Sequence, residues 1–220
     1  MLKTTMAKQE KIIILGTAHL ATTPGKQSPD GRFREYAYSR KVVSEVADAL
    51  RKQGYIVFID YMEANPNALM KGATWKEEQN KELAWRVNFV NTLCNKYGKG
   101  NCIYVSIHTD AAGADGKWHD ARGFSVRVSP KGSENSKRLA KCLYEAAESE
   151  GKAVTGNRAT PASKYWAQSL YVLNKTACPA VLTESLFQDN RADVDFLLSA
   201  KGREAIVRLH VNGIKNYVAG

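Results

Sequence analysis

The fold is decided by the sequence KIIILGTAH at residues 11–19, in which a short run of apolar residues leads to a histidine. A second run of the same kind, CIYVSIH at residues 102–108, also ends on a histidine, and a third, PAVLTE at residues 179–184, ends on a glutamate. Continuous apolar runs of this length are typical of strands that are buried on both faces of a parallel sheet. Because the carboxyl ends of parallel strands open onto one crevice, we expect the three polar side chains to converge there.

The segments between these runs predict the connections of a parallel sheet. Residues 35–53 place apolar side chains at helical spacing and end at Gly54, and residues 55–60 then predict a strand. Strand, helix and strand in this order form a βαβ unit with a right-handed crossover. A second helix, at about residues 74–97, leads into the strand that ends at His108.

The rest of the chain continues the alternation of strands and helices. Further strands are predicted at residues 123–128, 169–173 and 180–183, and further helices from near Ser133 and at residues 191–199 and 202–217. We therefore expect an α/β fold with one domain, residues 11–220, whose twisted, mostly parallel sheet of about six strands is flanked by helices on both faces. Residues 1–10 are expected to be an N-terminal extension.

The composition favours an anionic partner. The chain has 220 residues, and its 32 Lys and Arg against 22 Asp and Glu give a formal net charge of +10. Such a charge suits nucleic acid, anionic lipid or an anionic cell wall. The positive residues are scattered over the predicted helices rather than gathered in one stripe, so we expect no nucleic-acid partner. The four cysteines are widely spaced and form no C-x-x-C pair, which favours free, buried thiols.

Export and membrane signals are not found in the sequence as given. Residues 1–10, MLKTTMAKQE, lack an apolar core of the length that a signal peptide needs, and no later stretch reaches the length of a membrane span. An extracellular target is therefore expected to be reached after removal of a leader or by another route of delivery, such as that of a phage protein.

Three side chains form a candidate metal site. His19, Glu35 and His108 offer two imidazoles and one carboxylate, a set typical of catalytic zinc with one position open for water. His19 ends the first strand and Glu35 begins the following helix, so the loop between them can fold both toward the same point. From the residues alone the alternatives stay open, because a histidine after a strand is more often structural and Glu184 is more often a solvated acid.

A series of motifs follows in a fixed order along the chain. They are G-x-x-H at residues 16–19, Glu35 near a helix start, R-x-x-x-V-N at 86–91, S-I-H-x-D-A at 106–111, G-F-x-V at 123–126 and P-A-V-L-x-E-x-x-F-x-x-N at 179–190. Over about residues 11–218 this order resembles the zinc-dependent N-acetylmuramoyl-L-alanine amidases of the amidase-3 type. The S-I-H and P-A-V-L-x-E blocks are its most specific parts.

The resemblance implies a zinc enzyme. His19, Glu35 and His108 would bind one zinc ion, and Glu184 would be the catalytic carboxylate. The implied reaction is hydrolysis of the amide bond between N-acetylmuramic acid and L-alanine in peptidoglycan, at the cell wall or in the periplasm. A phage lysin or a bacterial wall-remodelling enzyme would fit this activity.

Other residues are candidates for substrate contact. The chain departs from the family pattern at Leu20, Asp110 and Ser185, where Gly, Asn and Gly are commoner, and these departures bear on substrate fit more than on metal binding. Asp110 is expected to orient the loop or an imidazole, and it is named with Arg158 as a candidate substrate-binding residue. An arginine can hold a peptide carboxylate bidentately. His119 also lies in a loop near the site, and a solvated loop position is the alternative for both Arg158 and His119.

The expected site is unblocked. Some relatives linked to cell division carry a long helical insertion that covers the zinc, and residues 128–136 are too short to hold one. We therefore expect the purified domain to be active without an activator protein, as suits a lytic enzyme.

Two other functions remain open. A zinc carboxypeptidase also uses two histidines and a glutamate ligand, but it usually takes two of them from an H-x-x-E motif, whereas His19 is followed by Leu20, Ala21 and Thr22. A non-catalytic basic protein that binds a polyanionic polymer would need no metal and would lose binding steeply with salt.

Overall fold

A six-stranded sheet forms the centre of the computed structural model, which describes residues 11–220; the expected extension at residues 1–10 lies outside them. The strands are β1 (Ile12–Thr17), β2 (Ile56–Ile59), β3 (Cys102–Asp110), β4 (Ser125–Val128), β5 (Trp166–Ala167) and β6 (Ala180–Phe187). The helices are α1 (Glu35–Arg51), α2 (Trp75–Tyr97), α3 (Glu134–Ser149), α4 (Lys152–Thr155), α5 (Tyr171–Lys175), α6 (Arg191–Leu198) and α7 (Ala200–Ala219).

The sheet is mostly parallel, as the apolar runs predicted. Its strand order is β2-β1-β3-β6-β4-β5. The first four of these strands run parallel to one another, β4 pairs antiparallel with β6, and β5 pairs parallel with β4. The expected α/β fold with one mostly parallel sheet is therefore confirmed.

Helices cover both faces of the sheet. All six residues of β1 are buried, and alternate ones enter two different cores, since successive side chains of a strand point to opposite faces. Ile13 and Leu15 pack with residues of α1, α3, α6 and α7, whereas Ile12 and Ile14 pack with residues of α2 and α5. The four cysteines are free, as expected; Cys94, Cys102 and Cys178 are buried in the core beneath α2 and α5, whereas Cys142 is only partly buried.

One predicted strand is wrong. Residues 169–173 were expected to be extended, but Tyr171–Lys175 forms the short helix α5, and the fifth strand is instead Trp166–Ala167. Val172 and Leu173 bury their side chains in the same core as Cys178. A short apolar run can bury side chains equally well as a strand or as one helical turn, so its periodicity did not distinguish them.

Two strands extend further than expected. β3 continues past His108 to Asp110, and β6 continues past Glu184 to Phe187, because the two strands remain paired beyond a register shift, with Asp110 opposite Phe187. His108 and Glu184 therefore lie within strands rather than after them. Within residues 11–220 no helix has both the length and the apolar character to cross a membrane.

Candidate metal centre

The structure brings the three sequence-predicted ligands together. One possible ligand atom from each of His19, Glu35 and His108 lies within 4.8 Å of the others. His19 Nε2 is 3.5 Å from Glu35 Oε2, and His108 Nδ1 is 3.1 Å from Glu35 Oε1. The two imidazole rings meet edge to face, with centroids 5.0 Å apart. The glutamate therefore lies between the two histidines.

Different elements position these side chains. His108 projects from the buried strand β3, and Glu35 is the first residue of α1, where its backbone N–H donates to the carbonyl of Lys26 at 3.0 Å. His19 follows β1 and has a φ of 38°, in the left-handed region that few non-glycine residues adopt. The preceding residue, Ala18, is held at both ends, because its N–H donates to Ser39 Oγ and its carbonyl accepts from Arg40 Nη1, each at 2.8 Å.

The protonation states of His19 and Glu35 are those that metal binding requires. Burial lowers the pKa of His19 to about 3, so the imidazole is neutral at pH 7. Burial alone would raise the pKa of Glu35, but its contacts with the imidazoles of His19 and His108 lower it to about 2. Metal ligands must be deprotonated, and a neutral imidazole beside a carboxylate meets this requirement.

Glu35 leaves one oxygen for a further partner. Its Oε1 accepts the Thr109 N–H at 3.1 Å, while its Oε2 is buried and has no hydrogen-bond partner among the described residues. An unsatisfied buried carboxylate oxygen beside two imidazoles is a suitable place for a divalent cation. Nitrogen and oxygen donors in this combination fit zinc.

A cavity of about 300 Å³ opens onto the cluster. Its wall includes His19, His108 and Glu184 from the sheet side and Glu82, Arg86 and Tyr171 from the helices. The cavity therefore gives a ligand access to both the candidate metal ligands and the glutamate of β6.

Glu184 faces the same cavity because of the strand register. It pairs with His108 across β3 and β6, and paired residues of adjacent strands project to the same face. Its Oε2 is buried with no hydrogen-bond partner among the described residues. Burial raises the pKa of Glu184 well above its usual range, and the negative charges of Asp110 and Glu35 raise it further. A raised pKa makes the carboxylate a stronger base, as proton transfer in general acid–base catalysis requires.

Asp110 and Arg158 belong to an ion cluster beside the site. Asp110 Oδ2 accepts from Arg127 Nη2 and from Arg158 Nη2, each at 2.9 Å, and Arg158 also donates to Ser125 Oγ at 2.8 Å. Asp110 Oδ1 accepts the N–H of Ala111 at 2.9 Å, at the start of the loop. Neither Asp110 nor Arg158 is among the described residues that line the 300 Å³ cavity.

The other two histidines have local partners. His119 Nε2 lies 2.9 Å from Asp115 Oδ1 in the loop after β3. His210 is buried, its Nδ1 donates to the Ile206 carbonyl at 2.7 Å, and its Nε2 accepts from Thr183 Oγ1 at 2.9 Å. Burial lowers the pKa of His210 to about 4, so this side chain is a neutral structural residue.

Two charged residues of the cavity wall, Glu82 and Lys26, are not among the candidates that the sequence indicates. Glu82 lies one helical turn before Arg86 on α2, an i, i+4 acid–base pair that could have been found. Lys26 lies in the irregular loop before α1, where no local pattern marks it.

A buried ion network supports the cavity wall. Arg86 Nη1 donates to Asp60 Oδ1 at 2.6 Å, and Arg86 Nη2 donates to Glu82 Oε1 at 2.7 Å. Tyr104 donates its hydroxyl to Asp60 Oδ2 at 2.9 Å. Burial alone would lower the pKa of Arg86, but the carboxylates of Asp60 and Glu82 hold it above its usual value. Arg86 Nη1 also donates to Thr17 Oγ1 at 3.1 Å, so one guanidinium links the end of β1, the residue after β2 and helix α2 at the cavity wall.

The substitution Arg86→Met is expected to lower the free energy of unfolding by about 3–5 kcal/mol, because it leaves two buried carboxylates without their cation. Urea denaturation followed by circular dichroism measures the change. Lys76→Met, an exposed position on the same helix, is the matched control and should change stability by less than about 0.5 kcal/mol. Equal stabilities of the two variants would show that the network does not hold the fold.

Fold and site together define an α/β protein with a candidate metal-dependent hydrolytic centre. Residues 13–216 match the family model described as N-acetylmuramoyl-L-alanine amidase, Amidase_3, and the chain belongs to this family. None of the curated proteins compared gives a significant sequence match.

Solved structures show the same fold. The CwlD amidase from Clostridioides difficile, solved in complex with the GerS lipoprotein, is 21% identical with a TM-score of 0.79, over 96% of this chain and 99% of that one. An N-acetylmuramoyl-L-alanine amidase from Clostridium difficile 630 is 19% identical with a TM-score of 0.76, over 96% and 98%. Ami1 from Mycobacterium smegmatis is 18% identical with a TM-score of 0.74, over 97% and 99%. At these identities the likeness concerns the fold alone.

Proposed function

We propose that this protein is a zinc-dependent amidase that hydrolyses the bond between N-acetylmuramic acid and L-alanine in peptidoglycan. The observation that carries the proposal is the cluster of His19, Glu35 and His108 beside a cavity whose wall also includes Glu184. Membership of the amidase family supports the reaction, and the donor set supports zinc. In this proposal residues 11–220 form the catalytic domain.

The chain's own residues would hold the metal in a fixed place. His19, Glu35 and His108 are its ligands in this proposal, and the Thr109 N–H and the start of α1 fix the glutamate among them. When bound, zinc supplies a Lewis acid that polarises the scissile carbonyl and lowers the pKa of water. The neutral state of His19 leaves its ring free to coordinate without first losing a proton.

Glu184 would move the proton. Its carboxylate lines the cavity and would accept a proton from the attacking water. The same carboxyl group would then deliver this proton to the departing amide nitrogen, which turns a poor leaving group into a neutral amine. The raised pKa of Glu184 makes it a stronger base than a solvated carboxylate.

The basic surface suits the proposed substrate and location. A formal charge of +10 favours association with an anionic cell wall, and action at the wall or in the periplasm follows from the substrate. Asp110 and Arg158 stay candidate substrate-binding residues, since Arg158 is partly exposed beside the site and could exchange Asp110 for a peptide carboxylate.

An unblocked site supports a lytic role. β4 ends at Val128 and α3 begins at Glu134, so the segment between them is short. We therefore propose that the purified protein is active without an activator, as a phage lysin or a wall-remodelling enzyme.

Digestion of purified peptidoglycan tests the proposal. We expect release of stem peptides with a free L-alanine amino terminus, identified by mass spectrometry, loss of this release in the presence of a chelator, and its recovery when zinc is added back. Cleavage within the stem peptide would support the carboxypeptidase alternative. Binding to the wall that persists with chelator and yields no new amino termini would support the non-catalytic alternative.

A further inference from the structure

The buried face of α1 is polar where the helix begins. Glu35, Ser39 and Arg40 are buried in its first two turns, whereas the buried residues that follow on this helix, from Val42 to Leu50, are apolar. A serine inside a helix commonly bonds to the carbonyl one turn earlier. Ser39 is only 1% exposed, and both hydrogen bonds of its hydroxyl leave the helix. The role of this buried hydroxyl therefore lies outside α1.

The Ser39 hydroxyl joins two strands of the sheet. Its Oγ accepts the Ala18 N–H at 2.8 Å and donates to the Ile107 carbonyl at 2.6 Å. The direct pairing of β1 with β3 ends at Ile107, so the hydroxyl continues the connection between the strands by one step. Ala18 and Ile107 immediately precede His19 and His108. One side chain therefore bonds to the backbone next to each candidate histidine ligand.

Helix α1 also binds the other side of His108. The Thr109 N–H donates to Glu35 Oε1 at 3.1 Å. The residues before and after His108 are thus bound by Ser39 and Glu35, which lie one helical turn apart. Hydrogen bonds around a metal ligand fix its orientation. The position of His108 relative to α1 is therefore determined on both sides.

Arg40 holds the peptide before His19 in a second way. Its guanidinium donates to the Ala18 carbonyl at 2.8 Å and to the Glu63 carbonyl at 2.8 Å, so the loop after β2 is bound to the same point. His19 has a φ of 38°, and such a conformation persists only where the surroundings hold it. Ser39 and Arg40 together bind both polar groups of Ala18 and so supply these surroundings.

We propose that Ser39 is a positioning residue, whose hydroxyl fixes the separation of His19 and His108 before a metal binds. Glu35, one turn earlier on the same helix, completes the set of donors. The inference rests on the proposed function, since it concerns the metal centre of that proposal. Without the hydroxyl, the end of β1 is no longer tied to β3, and the metal has to bring the two histidines together at a cost in affinity.

Cobalt binding by the full chain, freed of metal with a chelator, tests this role. Co²⁺ can take the place of zinc, and its visible absorption reports both its affinity and its coordination geometry. We expect Ser39→Ala to weaken Co²⁺ binding about 10- to 100-fold, the range for groups that support metal ligands, and to change the absorption spectrum. Circular dichroism checks that the variant is folded.

The matched control is Ser136→Ala. Ser136 is also a buried serine of a helix, α3, and its Oγ accepts the N–H of Ala180 at 3.1 Å, at the start of β6 and thus at the opposite edge of the sheet. This variant loses a similar hydrogen bond and is expected to keep the cobalt affinity and spectrum of the unaltered protein. If Ser39→Ala and Ser136→Ala bind cobalt equally well, the positioning role is overturned.

A second variant covers the case in which Ser39→Ala does not fold. Ser39→Cys fills nearly the same space, but its thiol is a weak donor and a weak acceptor. We expect it to weaken cobalt binding in the same direction as Ser39→Ala. A folded Ser39→Cys protein with the cobalt affinity of the unaltered protein would also overturn the role.

Amide hydrogen exchange of the metal-free protein separates this role from the proposed function. Ser39→Ala is expected to speed exchange of the Ala18 N–H about tenfold, as for the loss of one hydrogen bond, and to speed that of Thr109, because both strands lose a connection to α1. Faster exchange at Ala18 alone would show that Ser39 does not couple the strands. Absence of cobalt binding by the unaltered protein would overturn the proposed zinc function, while faster exchange at both amides would still support Ser39 as the residue that positions the histidines.

Discussion

Replacing Glu184 with glutamine is expected to lower kcat on peptidoglycan by about 10²- to 10⁴-fold, the range of a general acid–base group. The glutamine side-chain amide has nearly the shape of the glutamate carboxyl group, but it cannot take a proton from water. Because Glu184 lies beside the candidate ligands rather than among them, the zinc content of the variant should equal that of the unaltered protein. Initial rates of release of L-alanine amino termini, together with metal analysis, measure both quantities.

The control for this prediction is Glu204→Gln, the same change at an exposed position of α7, which should leave both quantities unchanged. Activity of Glu184→Gln close to the original value would assign the proton transfer to another group. Loss of zinc together with activity would make Glu184 a metal ligand instead of a base.

Much of the site could be predicted from the sequence because strands and topology determine it. Apolar runs that end at His108 and Glu184 gave two parallel strands, and their register then puts both side chains on one face. His19 follows a third such run, at the carboxyl end of β1. Helix α1 comes next along the chain, so its first residue, Glu35, lies at the same edge of the sheet. Each of these steps depends on local patterns and on the handedness of the crossover.

The rest depends on contacts between segments that are distant in sequence. Gln188 has an unpaired oxygen only because its amide group is oriented by the carbonyl of Gly25, in a loop far away along the chain. Arg158 is a candidate for binding a substrate carboxylate, and its present partners, Asp110 and Ser125, could not be predicted from the sequence. No periodicity or motif in the sequence predicts such contacts, since they form only when loops pack against one another.

The left-handed backbone conformation of His19 also depends on contacts with a segment that is distant in sequence. His19 is followed by Leu20 and not by a glycine, and the positive φ occurs at His19 itself. Ser39 and Arg40, both on α1, hold the preceding residue Ala18, whose N–H donates to Ser39 Oγ and whose carbonyl accepts from Arg40, and these contacts support this conformation. Strained backbone at functional sites is held by such surroundings and cannot be inferred from the strained residue alone.

Glu35→Gln is expected to abolish zinc binding and activity while the fold is kept. The amide oxygen can still accept the Thr109 N–H, as Glu35 Oε1 does now, so the start of α1 should remain in place. The negative charge between His19 and His108 is lost, however, and a neutral amide is a weak zinc ligand. We expect zinc affinity to fall by more than about 100-fold, since changes to groups that only support metal ligands already cost 10- to 100-fold.

Thermal unfolding with and without zinc measures this loss independently of activity. A ligand present at one hundred times its Kd stabilises the folded state by about 2.7 kcal/mol, so zinc should raise the Tm of the original protein by several degrees. The Tm of Glu35→Gln should not respond to zinc, whereas Glu45→Gln, a surface position on the same helix, should respond fully. A zinc-dependent Tm in Glu35→Gln would mean that the metal is held elsewhere, and the cluster of His19, Glu35 and His108 could then no longer be the catalytic centre.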